Sequence, residues 1–265
     1  MIQTRKRSAL RIKLGTAYFC AKRRLQWCFG KTKFASPSAL QLKYIHFTNQ
    51  SPLLRNLIGI DPYLEQNKIT NLRIALSRIN NTVLYPGETF SFWKLVGKPS
   101  QKRGFVEGVV LLKDGFGSGI GGGLCHITGL IYWATLHTPL TITERHRHSF
   151  DTTPTKFFGS DATCFYNYKD LVIRNNTNQP FQLQAAIDDT TIKASWVSDR
   201  LPQYKYEMYE KQSTITNEKW GGQTRHNIVH RKIFNLEGAQ IADEFVAENH
   251  ALVMYSDLKP ESFPS

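Results

Sequence analysis

Gly115-Phe116-Gly117-Ser118-Gly119-Ile120-Gly121-Gly122-Gly123-Leu124-Cys125-His126 is the stretch from which the rest of the chain is read. Six of its first nine residues are glycine. Such a run lets backbone approach a ligand closely and adopt positive φ. The apolar segment from about Leu124 to His137 follows directly, and Pro139 helps to stop it. The expectation is a Gly-rich loop feeding a buried helix. Free backbone N–H groups at a helix start can hold an anion. Cys125 falls in the first turn, where the helix dipole favours a thiolate, the reactive form. Papain-type enzymes place a nucleophile in this way, and the turn Gly121-Gly122-Gly123 would then supply oxyanion donors. A phosphate loop fits less well, because no Gly-Lys-Ser/Thr ending follows. The plainer reading is a cysteine packed under a tight turn.

Downstream, Glu144-Arg145-His146-Arg147-His148-Ser149 carries the next concentration of chemistry. In an extended segment side chains alternate. Glu144, His146 and His148 then share one face, and Arg145 and Arg147 the other. A histidine near a thiol can act as general base, and a carboxylate can orient it. The same face could instead hold a metal through Cys125, His146 and His148, with a further ligand that spacing does not identify. The arginines suit a substrate carboxylate or phosphate. A solvated strand of mixed charge is the plainer alternative. Asp161, before Ala162-Thr163-Cys164, reads as a turn residue bonding backbone, and Cys164 as core.

Around these segments the periodicities give an α+β chain. Leu72, Ala75, Leu76 and Ile79 predict a helix over 67–80, with Thr70 a possible N-cap. Thr89 to Trp93 alternates like a half-buried strand, and Phe105–Lys113 reads as another. Leu171–Arg174, Phe181–Ile187 and Thr191–Trp196 follow as strands, with a further hairpin around Glu237-Gly238. The expected architecture is a single mixed domain: a helix after the Gly-rich loop, packed on largely antiparallel β structure, with a β-rich C-terminal part. Alternating βαβ units are absent, which argues against a doubly wound sheet. The boundaries are a basic N-terminal arm at 1–35, the main domain at 36–200 and a β-rich extension at 201–265.

The chain has 265 residues and a net charge of +13. Residues 1–60 hold 12 Lys/Arg and no acid, while the remainder carries 22 basic and 21 acidic side chains. The charge therefore belongs to the arm, not the body. Such an arm is a solvated tail or an attachment to an anionic membrane surface through residues 1–35. Nucleic acid is the least expected partner. Arg11, Lys13 and Lys22-Arg23-Arg24 interrupt any apolar core of a signal peptide, and no run suits a transmembrane helix. The expected location is cytoplasmic, at the inner face of the membrane if the arm engages lipid. Four cysteines would then be reduced, and no cofactor is expected.

Four segments in order carry a resemblance. They are Asn81-Thr82-Val83-Leu84-Tyr85-Pro86-Gly87-Glu88-Thr89-Phe90-Ser91-Phe92-Trp93, then Gly121 to Cys125, then Leu136 to His148, then Asp161-Ala162-Thr163. Together they resemble the VanW family over roughly residues 40–200. The resemblance implies a bacterial protein connected with peptidoglycan and glycopeptide resistance. It implies a cysteine-dependent acyltransferase, L,D-transpeptidase-like, or a peptidase acting on peptidoglycan stems or precursors. Carried over, the motif cysteine is Cys125 and its partner His148, because the family varies more at the position of His146. Where the family usually has Gln after the cysteine, this chain has His126, which can donate to an oxyanion from one ring nitrogen. The other class of function is a non-catalytic binding module for an anionic cell-wall precursor or lipid head group.

Overall fold

In the computed structural model the described residues are 8–54, 61–112, 115–151, 157–219 and 221–254. In chain order they form α1 (Ala9–Phe29), β1 (Ser36–Pro37), β2 (Tyr44–Pro52), α2 (Pro62–Ile79), β3 (Thr82–Leu84), β4 (Thr89–Ser91), α3 (Phe92–Val96), β5 (Glu107–Leu112) and β6 (Gly115–Ile120). Then come α4 (Cys125–Leu136), β7 (Thr141–Glu144), β8 (Phe150–Asp151), β9 (Val172–Arg174), β10 (Phe181–Ile187) and β11 (Thr191–Ser198). Three long strands close the chain: β12 (Tyr204–Asn217), β13 (Gln223–Asn235) and β14 (Gln240–Val253). The fold is α+β with a β-rich C-terminal part.

One antiparallel sheet runs β1-β3-β10-β11-β2. Helices α2 and α4 pack on it, and their apolar residues close the core. Leu72 and Ile79 from α2, Ile127 and Ile131 from α4, and Trp196 from β11 are fully buried. The Trp196 indole N–H donates to Thr135 Oγ1 at 2.9 Å, so its one polar atom is satisfied inside the core. A small sheet β4-β9-β7 leads into the Glu144–Ser149 segment. The third sheet, β12-β13-β14-β8, is antiparallel except for β8, which joins β14 in parallel.

Three local expectations give way. The helix over 67–80 begins earlier, at Pro62, because Asp61 caps it by accepting from Tyr63 N at 2.9 Å with proline in the first turn. The strand at 89–93 stops at Ser91. There Ser91 Oγ caps the short helix α3, and the buried Asp170 takes the Trp93 N–H. Half of the Gly-rich loop is not a loop. Residues 115–120 pair with β5 as a regular antiparallel hairpin, Val109 opposite Ser118.

The remaining glycines make the turn that delivers α4. At Gly122 an added Cβ would lie 2.1 Å from the Gly108 carbonyl oxygen. At Gly123, φ is +87° and a Cβ would fall 2.3 Å from Lys68 Cγ. Two backbones cross here at a distance only glycine permits. Asn71, fully buried on α2, locks the crossing. Its Nδ2 donates to Val106 O (3.0 Å) and Gly122 O (2.9 Å), and its Oδ1 accepts from Val106 N at 2.9 Å. Asn71→Ala leaves these backbone groups unpaired inside the protein. It is expected to cost about 3 kcal/mol, read as a lowered urea midpoint at unchanged slope.

Candidate active site

Cys125 opens α4, directly after the crossed turn. Its thiol hydrogen-bonds the imidazole of His148, which lies on the segment between β7 and β8. The other side of that imidazole is held by Asp161. His148 Nδ1 is 2.6 Å from Asp161 Oδ2, and the same oxygen accepts the His148 backbone N–H at 2.7 Å. With Nδ1 committed to the carboxylate, Nε2 is the nitrogen left for sulfur. Cysteine, histidine and aspartate thus stand in line, the order nucleophilic acyl transfer requires.

The carboxylate is itself anchored. Arg145 donates Nε to Asp161 O (2.8 Å), Nη2 to Asp161 Oδ1 (3.1 Å) and Gly159 O (2.9 Å), and Nη1 to Asn249 Oδ1 (2.7 Å). Its guanidinium lies 4.7 Å from the Tyr132 ring centre on α4. Asn249 belongs to β14 and bonds Asn227 of β13, whose Nδ2 reaches Phe158 O at 2.7 Å. The C-terminal sheet therefore braces the 157–161 loop that carries Asp161.

The electrostatics follow from this geometry. Burial pulls the His148 imidazole down, but hydrogen bonds to Asp161 and Cys125 and the negative charges of both outweigh it. The net result is a rise from 6.5 to about 10. Burial pushes Asp161 up, yet the bond from His148 and the Arg145 charge hold it at about 2, against 3.8. Across neutral pH the pair is an imidazolium and a carboxylate, and the imidazolium faces sulfur as a counter-ion for thiolate. Cys164, beside Thr128, is the contrasting case: burial and the neighbouring Cys125 push its thiol well up.

The other sequence-predicted residues fall as follows. Glu144 does not reach His148 as an orienting group. It accepts from Arg23 Nη2 (2.6 Å), His146 (3.0 Å) and the Asp170 N–H (3.1 Å). His146 is thereby turned to Glu144 and His148 to Asp161. Among the described residues no group of three or more His, Cys, Asp or Glu is placed to hold a metal. Arg145 is a brace whose donors point into the protein. His126 is buried against β2, its Nε2 2.5 Å from Ser51 Oγ, and so is engaged away from an oxyanion. Within the turn, Gly121 N is taken by Val106 O, Gly122 N by Gly119 O and His126 N by Gly123 O. The N–H groups of Gly123 and Leu124 make no hydrogen bond among the described residues and are the available donors.

Glu144, His146, Arg147 and His148 line a cleft of about 940 Å³. Phe245, Val246 and Ala247 of β14 line it too. Arg147 makes a single 3.3 Å bond, to His148 O, among the described residues. Burial and the nearby Arg145 lower its pKa. Unlike Arg145, it spends almost none of its donors on the described residues. Asp161 was the residue missed from sequence, where it reads as an ordinary turn aspartate. Its place in the motif Asp161-Ala162-Thr163 was the available signal.

The ion pair sets a pH dependence. The His148 contribution to stability is complete below about 6.5 and fades as pH rises through about 10. The Asp161 contribution is present above 3.8 and is lost as pH falls through about 2. The stability lost in Asp161→Asn is expected to be greatest between about pH 4 and 6.5 and to shrink on both sides. Denaturant titrations across pH check this. In parallel, iodoacetamide should label Cys125 at about pH 6, where an ordinary thiol is nearly inert. His148→Ala should remove that labelling, read by peptide mass spectrometry.

Comparison with known proteins places this geometry in a family. Residues 67–197, which include Cys125, His148 and Asp161, match the family described as VanW like protein. The vancomycin B-type resistance protein VanW of Enterococcus faecalis is 32% identical over 184 residues, covering 68% of this chain and 67% of that protein. The uncharacterized protein YoaR of Bacillus subtilis is 30% identical over 115 residues, 43% of this chain and 38% of that protein. No solved structure matches. The chain belongs to the VanW family.

Proposed function

We propose that the chain is a cysteine-dependent acyl-transfer enzyme acting on peptidoglycan stem peptides or their precursors, in the setting of glycopeptide resistance. The observation that carries this is the Cys125–His148–Asp161 line at a helix N-terminus beside a cleft. The relative whose name connects it with vancomycin resistance supports the setting.

The Cys125 thiolate attacks a substrate carbonyl carbon, and the oxygen takes the negative charge. The Gly123 and Leu124 amides at the start of α4 stabilise that oxyanion. His148, already protonated, gives its proton to the leaving amine as the C–N bond breaks and a thioester forms. It then takes a proton from the incoming acceptor, an amine for transfer or water for hydrolysis, and sulfur leaves as thiolate. Asp161 keeps the ring oriented and compensates its charge. Arg147, with Lys169 also lining the cleft, receives a substrate carboxylate.

The test is turnover of stem-peptide substrates by the chain and by variants that circular dichroism shows to be folded at the assay temperature and pH. Cys125→Ala is expected to abolish it, and Asp161→Asn to lower kcat by about 10²-fold or more. Arg147→Met should raise KM by about tenfold with kcat nearly unchanged, the mark of lost ground-state binding. Turnover that persists in Cys125→Ala overturns the reading.

A further inference from the structure

Helix α1 buries none of its 21 residues. A single stripe, Thr16, Cys20, Arg23 and Trp27, is half-buried and faces the body. Trp27 packs on the core, and Cys20 Sγ lies 3.7 Å from Tyr166 O. Arg23 pairs with Glu144 at 2.6 Å. The spacing of these residues is i, i+4, i+7, i+11, one face of a helix.

The opposite face is apolar and open. Leu10, Leu14, Tyr18, Ala21, Leu25 and Phe29 recur at intervals of three and four. Leu14, Tyr18, Leu25 and Phe29 are between 58% and 82% exposed. At about 100° per residue these six fall within roughly a third of the circumference, away from the docked stripe. The flanks of this face are basic. Lys13 and Arg24 border one side, Arg11 and Lys22 the other, and all four are exposed. Residues 1–60 contain no acid to neutralise them. Long cationic side chains beside an apolar stripe can reach outward to head groups while their stems stay in the apolar layer.

We propose that α1 lies in the plane of an anionic lipid bilayer, its outer face inserted at the head-group boundary and its inner face holding the protein down. Two observations select this occupant. No helix of the described residues is long and apolar enough to cross a membrane; Leu10, Leu14, Tyr18, Leu25 and Phe29 share one exposed face, while the exposed Ile12 and Phe19 lie beside the docked stripe. Pairing with a second copy through the same face would set like-charged flanks against each other, whereas an anionic surface neutralises both. The inference does not depend on the acyl-transfer reading. If both hold, the Arg23–Glu144 contact sets the cleft wall about one helix diameter, roughly 10 Å, from the lipid surface, which suits a membrane-anchored substrate.

The experiment is co-sedimentation of the full chain with phosphatidylcholine vesicles, with and without phosphatidylglycerol, at low and high salt. Binding should need the anionic lipid and weaken with salt. Lys22→Ala/Arg24→Ala should lower partitioning by about tenfold or more. Leu14→Asp/Leu25→Asp should abolish it at an unchanged melting temperature, because both side chains are exposed. Equal binding to neutral vesicles, no binding, or retained binding by the leucine variant overturns the proposal. So does a lipid-free dimer in ultracentrifugation that the leucine variant dissociates, which would give the face to a second copy.

Discussion

At position 122 there is room for a hydrogen and nothing more. The 2.1 Å separating a would-be Cβ from the Gly108 carbonyl oxygen fixes how closely the turn crosses the start of β5. That closeness fixes where α4 begins. Asn71 converts the contact into a lock, because one buried amide satisfies three backbone groups from two crossing segments. The thiol is thereby placed by backbone packing rather than by its own interactions. Backbone at this density has few alternative arrangements, so the Gly123 and Leu124 amides are held beside the sulfur without needing a ligand to organise them.

His148 arrives from another direction and is held by a different device. Arg145 and His148 are three residues apart on an irregular segment, which alone would not hold a ring to within a few tenths of an ångström. Arg145 supplies the order by spanning the 157–161 loop, β14 and the Tyr132 ring. The C-terminal sheet is then part of the site's support: Asn249 and Asn227 carry the constraint from β13 and β14 to the loop of Asp161. An imidazole whose orienting carboxylate is itself anchored keeps its position relative to the thiol without a ligand to organise it.

The sequence showed some of this and hid the rest for identifiable reasons. Helix α4 and the place of Cys125 at its start were legible, since an apolar run after glycines and before Pro139 admits few other forms. The strands β10 and β11 were legible from their alternation and turn residues. Strand β6 was not, because glycine carries no pattern. Its strand state is decided by β5 beside it, a tertiary effect. The helix α3 was hidden in Phe90-Ser91-Phe92-Trp93, where alternation and a Ser cap compete and Asp170, nearly 80 residues on, decides. The orienting carboxylate was assigned to Glu144 by period-two logic. The period holds locally, but Glu144 is claimed by Arg23, from a helix 121 residues away in sequence. No local pattern reports that claim.

That claim has an electrostatic consequence. Glu144 and Asp170 are neighbours, and burial with the Glu144 charge raises Asp170 from 3.8 to about 6. Burial opposes ionisation of Glu144 too, yet its bonds from His146 and Arg23 keep its pKa low. Two carboxylates in one buried corner are tolerated because one cation comes from α1 and hydrogen bonds come from Ser91 and the Trp93 amide. With Glu144 neutralised in this way, His146 has a partner of its own. His148 is left to Asp161 and Cys125 as an undivided line. The segregation of two histidines two residues apart onto two separate carboxylates is what lets one of them serve the thiol. It depends on the docked face of α1 as much as on the residues of the site.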